Sequence, residues 1–100
     1  MRLIFTEQAE ESLKETLDYL AAEEIPLDKI IAIRNNILSK ADMLLDNPKL
    51  GQKEEYLDHL GLGHRRLIES HYKIIYRIES DRIYVTDIFD SRQDPNKMKG

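Results

Sequence analysis

Apolar positions recur at three- and four-residue intervals over the first half of the chain and at two-residue intervals near its end. Arg2 to Phe5 is a short β-prone run, and Thr6 follows as a natural N-cap, with Glu7 and Glu10 beside the positive end of a helix dipole. Ala9, Leu13, Leu17 (with Thr16), Leu20 and Ala21 then form one apolar stripe, while Glu11, Glu15 and Asp18 fall on a solvated face. Ile25-Pro26 interrupts the pattern, since proline is tolerated just before or within the first turn of a helix. Ile30, Ile33 or Arg34, Ile37, Ala41, Leu44 and Leu45 repeat the helical spacing until Asn47-Pro48. The pattern predicts two helices joined by a short turn, an antiparallel hairpin.

From Lys49 to Gly63 the chain carries Gly51, Gly61 and Gly63 among polar residues, with Tyr56, Leu57, Leu60 and Leu62 as anchors. This predicts an ordered loop with room for a helical turn. Three strands follow: Arg65 to Ser70, Tyr72 to Glu79, and Arg82 to Phe89, the last pair joined by Ser80-Asp81. A two-residue turn sets Glu79 opposite Arg82, Ile78 opposite Ile83, Arg77 opposite Tyr84 and Ile75 opposite Thr86. Tyr72, Ile74, Tyr76, Ile78, Ile83, Val85 and Phe89 then share an apolar face that packs on the helices. Lys73, Arg77, Glu79, Arg82, Tyr84 and Thr86 share the other. Asp87 falls on the apolar face opposite Ile74, which requires a place at the sheet margin, a basic partner or a different register. The expected fold is α+β: an N-terminal strand, a helical hairpin, then a three-stranded antiparallel meander completing one sheet packed on the helices.

Composition narrows the reading. A chain of 100 residues, 41% hydrophobic and 34% charged, suits one globular domain over residues 1–100. There is no cysteine, so neither a disulfide framework nor a thiolate site is available, and no cofactor is implied. The opening apolar run is too short for a signal peptide and no stretch approaches a membrane span, so a soluble cytoplasmic protein is expected. Net charge is −4, but it is uneven: residues 1–63 carry 7 Lys/Arg against 13 Asp/Glu, and residues 64–100 carry 8 against 6. The acidic total argues against DNA binding by the chain alone, while the basic third is where a site is sought.

Most isolated features have plain structural explanations. Tyr72 and Tyr76 lie on the core face and read as packing. The adjacent carboxylates Glu23-Glu24 and Glu54-Glu55 diverge on any regular element and read as solvated surface. His59, His64 and His71 lack the spacing of a metal site. Arg65 and Arg66 point to opposite faces, available either to the acidic helices or to a partner. Arg77 opposite Tyr84 predicts a cation–π pair.

The more specific signal is a set of motifs. Arg65-Arg66-Leu67-Ile68-Glu69 precedes Tyr72-Lys73-Ile74-Ile75-Tyr76-Arg77. After the hairpin come Ile83-Tyr84-Val85 and the close Arg92-Gln93-Asp94-Pro95, and Asn47-Pro48-Lys49-Leu50-Gly51 follows the second helix. Together with the element order, these resemble the RelE/ParE superfamily, the toxin halves of bacterial toxin–antitoxin pairs, over essentially the whole chain. The resemblance implies a cognate antitoxin and a toxin–antitoxin hetero-oligomer. It also implies one of two targets: the RelE type cuts messenger RNA on the ribosome, and the ParE type poisons DNA gyrase without being a nuclease.

Metal-free RNA cleavage needs proton-transfer groups as well as cations. Arg92, Arg66, Lys73 and His64 are the residues a ribonuclease reading would use. Six residues beyond Arg92, where RelE-like enzymes carry a tyrosine, stands Met98, and no tyrosine or histidine follows Arg92. The ParE-type reading is therefore preferred over the ribonuclease, and over a non-toxic scaffold of the same fold. Arg65, Arg66, Arg77, Tyr84, Arg92 and Gln93 are the expected target- or antitoxin-binding residues.

Overall fold

The computed structural model describes residues 1–100. Strand β1 (Arg2–Phe5) leads into helices α1 (Glu7–Ala22) and α2 (Leu27–Asp42), followed by β2 (Gln52–Lys53), β3 (Arg65–Glu69), β4 (Tyr72–Glu79) and β5 (Arg82–Asp90). Short 3-10 turns occupy Met43–Leu45, Glu55–Leu60 and Pro95–Lys97. No helix is long and apolar enough to cross a membrane.

Thr6 caps α1 as its sequence position requires, accepting the Ala9 amide at 3.2 Å, and its hydroxyl donates to the Val85 carbonyl at 3.1 Å. One residue thus starts the helix and ties it to β5. Pro26 stands immediately before α2, its carbonyl accepting from the Lys29 and Ile30 amides. The helix tightens into the turn Met43–Leu45 before Pro48 is reached.

The strands form one five-stranded sheet in the order β1-β5-β4-β3-β2, with β1 parallel to β5 and the other neighbours antiparallel. The Ser80-Asp81 turn sets Glu79 against Arg82, Ile78 against Ile83 and Arg77 against Tyr84, as the spacing predicts. Ser80 takes a positive φ of 55° to close it. Beyond Tyr76–Val85 the register shifts. Ile75 pairs with Asp87 instead of Thr86, Ile74 with Ile88 instead of Asp87, and Lys73 with Phe89. Thr86 is the extra residue of a β-bulge, and one inserted residue moves every later side chain to the other face. The expected places of Asp87 and Phe89 are therefore corrected: Ile88 fills the core position assigned to Phe89.

The segment 49–63 also contains more than the expected loop. Gln52 and Lys53 pair with Arg66 and Arg65, adding a two-residue edge strand too short for any periodicity to show.

Two apolar clusters result, one on each face of the sheet. Between sheet and helices, Ile37, Ala41 and Leu44 of the α2 segment and Ala9 of α1 pack on Leu67, Tyr72, Ile74, Tyr76, Ile83, Val85 and Ile88. On the other face, Ile75 and Phe89 are covered by Leu57 and Met98. Burial of side chains this size contributes about 1.5–3 kcal/mol each. Tyr76 anchors the loop entering β2 as well: its hydroxyl accepts the Gly51 amide at 2.9 Å and donates to the Pro48 carbonyl at 2.9 Å.

Candidate functional site

The sequence-predicted site residues separate into three places. The first is the sheet face opposite the helices, where β3 and β4 present Arg66 and Lys73 and the chain before the Glu55–Leu60 turn presents Glu54. Glu54 is only 1% exposed. Its carboxylate lies 3.1 Å from Lys73 Nζ and 3.5 Å from an Arg66 guanidinium nitrogen. Its amide donates to the His64 carbonyl at 2.9 Å. Arg66 also donates to the Lys53 carbonyl at 2.6 Å and to Gln52 Oε1 at 3.2 Å, clamping β2 to β3. The expectation that Glu54 is solvated is corrected, and only its neighbour Glu55 is exposed. A carboxylate this deep is tolerable because two cations and the Tyr56 amide, which donates to it at 3.4 Å, surround it.

Farther along the same face, the Arg77 guanidinium carbon lies 4.8 Å from the centre of the Tyr84 ring and the group pairs with Glu79. Arg82 reaches the Tyr84 hydroxyl at 3.5 Å. Tyr84 is thus flanked by two guanidinium groups. The cation–π pair predicted from the hairpin register is present.

Arg65 points the other way, as strand alternation requires, since its partner across the ladder is the core residue Tyr76. Its guanidinium donates to the Gly51 carbonyl at 2.7 Å and makes no ion pair with the helices. It therefore reinforces the Pro48–Gly51 turn.

The third place lies on the helix side, at the end of β5. Arg92 holds both oxygens of Asp90, at 3.0 Å from Nε and 2.7 Å from Nη2, and its amide adds a third bond at 2.9 Å. The bonds from Arg92 hold the Asp90 carboxyl below the usual carboxylate range. The Arg92 side chain nonetheless remains 61% exposed. With Gln93, Lys97 and Lys99 it forms one wall of an open cleft of about 790 Å³, whose other wall is Ser12, Thr16 and Tyr19 of α1.

His64 belongs to none of these surfaces. It is 2% exposed, and neither ring nitrogen has a hydrogen-bond partner. Burial, together with the positive charge of Arg77, pushes its imidazole below the ordinary value. It lies in the loop immediately before β3, but buried there instead of at the surface.

Arg66 and Lys73 meet on Glu54 and Arg92 is committed to Asp90, while the His64 ring bonds neither carboxylate and His64 meets Glu54 only through its carbonyl. Met98, at the position where a proton donor was sought, is buried against Leu57, Ile75 and Phe89. Of the four residues of the ribonuclease reading, Arg66 and Lys73 share Glu54, but no hydrogen-bond or ion-pair partner joins Arg92 or the His64 ring to them. The buried Glu54 was missed in the sequence. Its signal, a carboxylate next to a two-residue strand facing Arg66 and Lys73, exists only once β2 is paired.

One protein family, described as the ParE toxin of type II toxin-antitoxin system, parDE, has a model that matches residues 3–95. The chain belongs to the ParE toxin family. The match takes in Pro48 and Gly51, the Tyr72–Arg77 strand and the close from Arg92 to Pro95. A solved structure described as the chromosomal ParDE TA system from P. aeruginosa has a similar fold, with a TM-score of 0.75 and 21% identity over 90% of this chain and 95% of that one. Among curated protein sequences none matches significantly. The order of strand, helical hairpin and antiparallel strands expected from the sequence is thus the ParE arrangement.

Proposed function

We propose that this ParE-family protein is the toxin of a type II toxin–antitoxin pair, neutralised by a cognate antitoxin and, when free, acting in the cytoplasm on DNA gyrase to block replication. The observation that carries this reading is the dispersal of the candidate acid–base groups. Nucleolytic chemistry needs a base, an acid and cations converging on one phosphodiester. Here the imidazole is buried, the tail position holds a packed methionine, and Arg92 is separated from Arg66 and Lys73 by its own partner. What remains accessible is a binding surface. Arg92 and Gln93 at the open cleft, and the Arg77–Tyr84 pair on the far face, are the side chains of the type that anchor protein interfaces. Arg65 and Arg66 support them by fixing the Pro48–Lys53 segment. In this reading the toxin acts by contact, with no reaction of its own, and the antitoxin forms a hetero-oligomer with it.

Inducing the chain in a bacterium that lacks the antitoxin tests this. Growth arrest with filamentation and an SOS response is expected, relieved by co-expression of the antitoxin. Arrest with new cuts inside translated codons, seen by primer extension on messenger RNA, would instead establish the ribosome as target. Well-expressed, folded protein without arrest would leave a non-toxic scaffold.

A further inference from the structure

Residues 96–100 lie beyond the segment that matches the family. They lie against the second apolar cluster, held by one side chain and a few main-chain bonds. Met98 fills a socket made by Leu57, Ile75 and Phe89. The Lys99 amide donates to the Asp87 carboxylate at 3.0 Å, and the Lys99 carbonyl accepts from the Thr86 hydroxyl at 3.4 Å. Gln8 Nε2 reaches the Gly100 carbonyl at 3.1 Å. The amides of Asn96, Lys97 and Met98 bond only to Asp94 and Pro95 next to them, so one apolar side chain and three hydrogen bonds tie the segment to the sheet and α1, a thin attachment set against the entropy of ordering five residues.

Closure also costs the groups beneath. A Cβ built on Gly100 would stand 2.9 Å from His64 Nε2 and 2.5 Å from Leu60, so the tail backbone lies directly against the imidazole. Three buried side-chain polar atoms lack any partner in the protein, and two of them are the His64 nitrogens. Nε2 is the one against the tail, and lifting the tail would open it to water. Asp87 is in a similar position: it is 3% exposed, and the Lys99 amide and Ser12 stand in for the water it has lost. A cover that adds little and leaves an imidazole unsatisfied is poised to leave.

The geometry points to residues 96–100 being a strap that opens as a unit while the five-stranded sheet stays folded, uncovering His64 and the apolar socket of Leu57, Ile75 and Phe89. The uncovered ground adjoins the Glu54 cluster, because Ile75 pairs with Arg66 and Phe89 with Lys73 across the ladders. Strap opening is a property of the isolated protein and stands apart from the identity of the cellular target.

Hydrogen exchange on the unmodified protein reads the opening directly. The Lys99 amide is expected to exchange about 100-fold or more faster than the amides of β4, and equal protection would overturn the proposal. Two variants separate the strap from the fold: Met98→Asp evicts the side chain and Met98→Leu keeps an apolar one. In Met98→Asp the imidazole of His64, followed by NMR, is expected to titrate closer to its ordinary value and to acylate severalfold faster, with β4 protection retained. Met98→Leu is expected to behave as the parent. An unchanged His64 in folded Met98→Asp, or loss of β4 protection in that variant, would each show that strap and sheet are one unit.

Discussion

The Tyr76 hydroxyl accepts the Gly51 amide and donates to the Pro48 carbonyl, each at 2.9 Å. Two motifs far apart in sequence, the proline–glycine turn and the second tyrosine of the Tyr72–Arg77 strand, therefore meet at one oxygen. Gly51 has no alternative: a Cβ there would lie 2.5 Å from the Arg66 carbonyl and 2.7 Å from the Tyr76 hydroxyl. The turn positions β2, and β2 brings Glu54 to Arg66 and Lys73.

Tyr76→Phe removes the oxygen and strands a buried donor and acceptor. A loss of about 1–3 kcal/mol is expected in urea unfolding. Gly51→Ala should cost at least as much, because a Cβ there meets rigid backbone and a buried ring. A Tyr76→Phe protein as stable as the parent would show that water replaces the hydroxyl.

Glu54→Ala leaves Arg66 and Lys73 facing each other across a buried gap. Breaking such a pair costs about 3–5 kcal/mol, whereas replacing charge on both sides costs less. The double variant Glu54→Leu/Lys73→Met is expected to recover part of the loss. Additive effects in a double-mutant cycle would mean that the carboxylate and the ammonium do not interact.

His64 sets a pH dependence. Its folded value lies below the ordinary 6.5, because burial and Arg77 disfavour the charged ring. The unfolded chain therefore binds the proton more readily, so this contribution to stability is full above about pH 6.5 and declines as pH falls through that value. The melting temperature of the parent should drop between pH 7.5 and 5.5 more than that of His64→Leu. Parallel curves would contradict the assignment.

Asp87 acts with the opposite sign. Burial raises its carboxyl above the ordinary 3.8, so the folded state holds the proton more tightly and stability is lost as pH rises through the folded value. Asp87→Asn keeps an acceptor for the Lys99 amide without a buried charge. It is expected to melt higher than the parent at pH 7, with the difference shrinking toward pH 4.

The parts of the fold that long patterns encode were legible. The stripes from Ala9 to Ala21 and from Ile30 to Leu45 specify two helices, Thr6 specifies where the first begins, and the Ser80-Asp81 turn fixes four pairs from Glu79–Arg82 to Tyr76–Val85. What failed depends on single residues. No glycine marks the bulge at Thr86, so alternation ran on unbroken and put Phe89 on the wrong face. Asp87, left without a place by that alternation, was the one sign of the shift. Glu54 looks like surface because its partners lie 12 and 19 positions away on strands that must first pair. The Arg77–Tyr84 pair was legible because it rests on the register set by a two-residue turn. Met98 stands out in the sequence only for the tyrosine it replaces, and its packing against Leu57, Ile75 and Phe89 exists only in the folded tail.

The measurement closest to the central claim is the effect of the purified, antitoxin-free protein on purified DNA gyrase. Supercoiling should be inhibited and cleavage complexes should accumulate with dose, and Arg92→Ala should weaken the effect about tenfold or more, as loss of an interface anchor does. Gyrase activity unchanged by folded protein in excess would contradict the account.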